Sequence, residues 1–196
     1  MRLDNLEHGH GLKQRVLLRV IRLASGGEES GLDLVKMMLY RAGYFGRSFS
    51  HLMQEVMRGP SDWSVGEREL LAAFTSKVNQ TPFCAAFHGA AASLALEDDG
   101  TEAILADWRS APLDDRMRAV FAFIEKLAHA PEDLQGRDID ALRASGLTLA
   151  QIEEAVHISA GFHIINRLAD AFGFQLPSPR GVVKGARGLL RYGYAM

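Results

Sequence analysis

Apolar residues recur at three- and four-residue steps along most of the chain, and no segment shows the two-residue alternation of a half-buried strand. Leu12, Val16, Val20 and Leu23 predict a first helix. Leu32, Val35, Met38 and Leu39 predict a second after Gly26-Gly27. Phe49, Leu52, Met53 and Val56 predict a third, stopping at Gly59-Pro60, where glycine terminates well and proline removes a donor. Ser64 and Glu67 have the spacing of a capping box and open a helix running to about Asn79, with Leu70, Leu71, Phe74 and Val78 on its apolar side. Thr81 as cap and Pro82 at the first helical position open the next one. Met117, Val120, Phe121, Ile124 and Leu127 form a further stripe, with Asp114 and Asp115 at its positive end and Pro131 closing it. Ile139 and Leu142 predict a short helix ending at Gly146. Thr148 with Gln151 then starts a long one reaching Ala171 or Phe172. This pattern predicts an all-α domain over residues 1–176. Residues 177–196 hold Arg180, Lys184, Arg187 and Arg191, four glycines and no acid, and read as a mobile or partner-docked extension, with an anionic partner as the second reading.

Composition narrows the class. A chain of 196 residues, 47% hydrophobic, suits one domain with a substantial core. A net charge of −2 offers no general basic field for nucleic acid. No uncharged apolar run approaches the roughly 18 residues of a membrane span, since Arg19 and Arg22 break the stretch from Val16 to Leu23. One cysteine cannot form an internal disulfide, so a reducing cytoplasm is the expected setting.

That cysteine carries the candidate chemistry. Cys84 falls in the first turn of the helix opened by Pro82, and His88 follows four residues later on the same face, where imidazole can accept the thiol proton or hold the thiolate. The helix N-terminus and a protonated His88 favour the thiolate, and burial among Ala85, Ala86 and Phe87 opposes it. Glu69 shares a helical face with Ala72, Ala73 and Ser76, small residues that permit close approach by the alanine-rich segment after Cys84. A tight αα-hairpin turning at Gln80-Thr81-Pro82 would bring Glu69 back toward the sulfur. The blander alternative makes Cys84 a small buried hydrophobe and His88 a satisfied core histidine. His157 and His163, six apart on one helix, make a poor metal pair, and His8 and His10 lie near an N-terminus expected to be loose. Neither a metal nor a cofactor is expected.

Glu69-Leu70-Leu71-Ala72, Ser76, Asn79 and Pro82-Phe83-Cys84 with His88 resemble the core signature of the alkylhydroperoxidase D and carboxymuconolactone decarboxylase family. The helix from Asp114 to Leu127 and the run Phe162-His163-Ile164-Ile165-Asn166-Arg167-Leu168-Ala169-Asp170 resemble its peroxidase-related branch. The resemblance implies an AhpD-like helical fold built around the αα-hairpin that carries Glu69 and Cys84/His88, usually as a homo-oligomer, a dimer or a trimer of dimers. It also implies a Glu-Cys-Cys-His relay that reduces peroxides through a thiol. In that pattern Glu69 is the relay acid, Cys84 the second cysteine and His88 the base. The first cysteine is replaced by Thr81, so the internal CxxC cycle is not available. The implied activity is an antioxidant oxidoreductase acting on a small hydroperoxide, with an external or intersubunit thiol to resolve the sulfenic acid. Two alternatives stay open. In a cofactor-free lyase or isomerase, His88 and Glu69 move protons and Cys84 is incidental. In a non-catalytic member, the site only binds a ligand.

Overall fold

A computed structural model describes residues 1–24 and 30–195, and the Gly26-Gly27 break named from sequence falls outside them. The described residues form eleven α-helices and no strand: α1 (Asp4–His8), α2 (Leu12–Ala24), α3 (Asp33–Tyr40), α4 (Gly46–Arg58), α5 (Val65–Val78), α6 (Pro82–Leu96), α7 (Thr101–Ala106), α8 (Asp115–His129), α9 (Gly136–Ala144), α10 (Leu149–Phe172) and α11 (Pro179–Tyr192). This is the AhpD-like helical fold.

Local signals explain the helix starts. The Ser64 side chain accepts from the Glu67 amide and the Glu67 carboxylate from the Ser64 amide, closing a full capping box. Thr148 and Gln151 do the same for α10, and Asp114 caps α8 through the Met117 amide.

The ends share a device as well. α5, α9 and α10 each finish with paired bonds to their last carbonyls, as Thr81 N–H to Ser76 O at 2.9 Å and Gln80 N–H to Lys77 O at 3.0 Å show for α5. That motif needs a left-handed residue, supplied by Gly146 after α9 and Gly173 after α10. After α5 the residue is Gln80, with φ of 58°, a conformation that costs an ordinary side chain roughly 1–2 kcal/mol. The tight reversal it allows lays α6 antiparallel against α5.

α5 runs through the centre of the molecule, between α6, α8 and α10. Phe74 stacks on Phe121 with ring centroids 3.8 Å apart, and Trp108 meets both edge-on. Trp63, almost wholly buried, donates from its indole to the Gln151 carbonyl at 2.9 Å and ties the start of α5 to α10.

Three regions differ from the sequence expectation. The N-terminus is docked rather than loose: Leu6 is buried, the Arg2 amide donates to the Phe172 carbonyl, and His10 is buried with Nε2 at 2.9 Å from the Lys36 carbonyl. The segment read as a basic extension contains α11, capped by Ser178 and lying against α6. α2 forms over its apolar stripe, but that stripe faces outward, with Leu12 at 71% and Leu23 at 73% exposure.

Candidate functional site

The α5–α6 hairpin points Glu69 into the protein, where the residue has no solvent exposure. Ala72, Ala73 and Ser76 on the same side are also fully buried and let α6 approach. An isolated carboxylate at such a position would cost several kcal/mol, so its partners decide its state. Three donors meet it. His88 Nδ1 lies 2.7 Å from Oε2, Arg58 Nη2 lies 2.6 Å from Oε1, and the Tyr194 hydroxyl donates to Oε1 at 3.0 Å. Burial pushes the Glu69 carboxyl up, but His88 and Arg58 outweigh it and hold the group below its ordinary value. Glu69 is therefore a carboxylate, which can only accept. An acceptor-only carboxylate at 2.7 Å requires the proton between them to sit on Nδ1, so the nitrogen left to exchange a proton is Nε2.

The three partners come from distant parts of the chain. Arg58 ends α4 beside Gly59-Pro60 and also donates to the Met57 carbonyl. Tyr194 follows α11, and the Gln54 side chain accepts from its amide. Its ring lies under the Arg58 guanidinium at 5.0 Å. Burial and then the Glu69 charge raise the Tyr194 phenol well above its usual value, so it stays a donor. The His88 ring meets Phe162 of α10 edge-on at 4.5 Å.

Cys84 lies one turn before His88 in a different environment. The thiol is 4% exposed, and burial, followed by the negative charge of Asp170, pushes it up to about 12. Of the opposing influences weighed from sequence, burial prevails, and the resting thiol is protonated. The hairpin brings Glu69 to the His88 imidazole, one turn beyond the sulfur along α6. Thr81 occupies the cap position of α6 without capping it: its hydroxyl donates instead to Asp170 Oδ2 at 2.8 Å. The expected capping role of Thr81 is thus replaced by a tie between the hairpin turn and α10. Nearby, Ser76 donates to Asn166 Oδ1, and Arg167 donates to the Asn79 carbonyl.

Cys84, His88 and Tyr194 open together onto a cavity of about 700 Å³ between α3, α4, α6, α10 and α11. Sequence reasoning named Glu69, Cys84 and His88, and missed Arg58 and Tyr194. Arg58 had a weak signal, as a cation at a helix end. Tyr194 had none, because it reaches the site only once α11 has docked. Among the described residues, no group of three or more His, Cys, Asp or Glu side chains is placed to hold a metal ion.

The chain matches no protein-family model and no curated protein. Among solved structures it is similar to an uncharacterized peroxidase-related protein from Silicibacter sp. TM1040, at 23% identity and a TM-score of 0.77, over 92% of this chain and 93% of that one. It is also similar to an alkylhydroperoxidase AhpD core, an uncharacterized peroxidase-related protein from Ralstonia eutropha JMP134. That match has 22% identity and a TM-score of 0.75, over 94% of this chain and 96% of the other.

Proposed function

We propose that the protein is a cofactor-free acid–base enzyme in which His88 transfers a proton on a substrate held in the cavity and Glu69 orients the imidazole. The observation that carries this reading is the 2.7 Å bond between His88 Nδ1 and an ionised, fully buried Glu69. That bond leaves Nε2 as the base, and among the described residues no hydrogen bond engages it. Nε2 takes a proton from the substrate, the carboxylate stabilises the ring while it is positive, and the same nitrogen returns the proton elsewhere on the molecule. The net result is an isomerisation, or a decarboxylation if the substrate's carboxyl group leaves as carbon dioxide, its bonding pair staying on the carbon that takes the proton back from Nε2. Arg58 and Tyr194 keep Glu69 ionised and fixed, as positioning residues.

A thiol peroxidase is the second reading. It is favoured by Cys84 and His88 lining one cavity a turn apart, and by the peroxidase-related description of the structural neighbours. There His88 would take the Cys84 proton, and the thiolate would attack the peroxide O–O bond, yielding a sulfenic acid and an alcohol. One external thiol would then condense with the sulfenic acid to a mixed disulfide with loss of water, and a second would release the Cys84 thiol and leave as the reductant's disulfide.

One experiment separates them: lactone-acid decarboxylation or isomerisation, and hydroperoxide reduction with added dithiol, compared in the native protein, Cys84→Ala and His88→Gln. The acid–base reading expects Cys84→Ala to keep activity within a few-fold and His88→Gln to lose roughly 10²- to 10⁴-fold. Peroxide turnover abolished by Cys84→Ala would install the thiol reading in its place. We also infer that copies of the chain assemble into a homo-oligomer, supported by the exposed stripe of Leu12, Val16, Val20 and Leu23 on α2. Light scattering is expected to give at least twice the chain mass, and replacing Val16 and Val20 by Lys is expected to yield the monomer.

A further inference from the structure

The cavity beside His88 is walled by hydrocarbon, with Val35, Met38, Phe49, Met53, Phe87 and Phe162 supplied by four helices. Among the described residues, the charged side chains lining it are Lys184, Arg187 and Arg191, all cations and all from α11. α11 has no acid, and these three side chains are exposed with no ion pair among the described residues. At positions i, i+3 and i+7 they occupy one side of the helix over about 10 Å of its length. Close seating of α11 on α6 brings them to the mouth. A Cβ built on Gly185 would stand 2.2 Å from Phe87 Cε1, so a larger residue there would have to move the Phe87 ring.

Among the described residues three hydroxyls line the cavity, those of Ser50, Tyr192 and Tyr194, and two are already used: Ser50 donates to the Arg47 carbonyl and Tyr194 to Glu69. A sugar or nucleotide would leave its own polar groups unpaired against these walls. A hydrocarbon chain would lose nothing there, and a single negative charge would meet Lys184, Arg187 and Arg191 at the edge.

We propose that the cavity binds a long-chain carboxylate, its chain against α3, α4, α6 and α10 and its head group at the cationic edge of α11. As a statement about substrate this rests on the acid–base reading above; as a statement about binding it does not.

Calorimetric titration of the intact protein with dodecanoate, dodecanol and dodecyltrimethylammonium, each below its micellar concentration, tests it. Dodecanoate is expected to bind at least about tenfold more tightly than dodecanol, the scale of one charge-assisted contact, and the cationic amphiphile not measurably. Added salt should narrow the gap. In the triple variant Lys184→Gln, Arg187→Gln, Arg191→Gln, dodecanoate should fall to the affinity of the alcohol while the alcohol is unchanged, which also reports an intact cavity. Equal binding of acid and alcohol to the native protein, no binding of either, or an unaltered preference in the variant would overturn the proposal. Binding is read without turnover. Dodecanoate binding in a protein that fails the His88 test therefore removes the acid–base reading alone, and no binding in one that passes removes this proposal alone.

Discussion

The Glu69 corner and the Thr81–Cys84 corner of the site lie against one helix yet treat charge in opposite ways. At the first, a buried carboxylate meets a guanidinium, an imidazole and a phenol, and ionisation is favoured. At the second, a thiol is buried with an acid for its charged neighbour, and ionisation is suppressed. Proximity on a helix face is thus a poor guide to reactivity. Cys84 and His88 are one turn apart, but it is His88 that is bonded to an ionised partner.

Removing the charge from the first corner should have the largest effect. Glu69→Ala leaves the largely covered Arg58 guanidinium without its counter-ion, and urea unfolding at pH 7 is expected to show a loss of about 3 kcal/mol, the lower end for breaking a buried pair. The pH dependence follows from the sign of the shift. A carboxyl held below its unfolded value of about 4.3 contributes stability that is complete above that pH and disappears as pH falls through the folded value. Native protein should therefore lose stability in acid more steeply than Glu69→Gln. Parallel curves would mean that Glu69 is not ionised, and the contrast between the corners would fail.

The second corner is tested by alkylation of the only thiol. With the Cys84 thiol pushed up to about 12, its reaction at pH 7 should be roughly a thousandfold slower than in the urea-unfolded chain. Asp170→Asn, which removes the second cause of that rise, should recover part of the rate. Fast native alkylation would erase the difference between the corners and favour the thiol peroxidase.

Tyr194→Phe is expected to have the smallest effect, costing about 1.5–3 kcal/mol, the value of one hydrogen bond to a charged acceptor. Its ring can remain under Arg58, so a thermal melt should keep its cooperativity while the midpoint falls. No change in midpoint would show that Arg58 and His88 suffice to hold the carboxylate.

Much of this was legible in the chain because it depends on neighbours within a few residues. Ser64 with Glu67, Thr148 with Gln151, and Asp114 each announced a helix start through a bond spanning three residues. Gly59 and Gly146 marked helix ends for equally local reasons. α1 and α7, at five and six residues, were too short to show a period, and α11 was obscured by its glycines. Those glycines read as flexibility until Phe87 is found against Gly185. Thr81 looked like a cap by position, yet its hydroxyl turned to Asp170, a partner 89 residues away that no local rule could supply.

By itself the sequence determined where the helices start and stop, that they form an all-α domain, and that Glu69, Cys84 and His88 share a hairpin. These follow from periodicity, capping and small residues, whose physics acts within a turn or two. The tertiary structure alone decided that Glu69 is ionised and that the Cys84 thiol is not. Ionisation depends on burial and on partners such as Arg58, Asp170 and Tyr194, and only the packing of α4, α10 and α11 brings them to the hairpin.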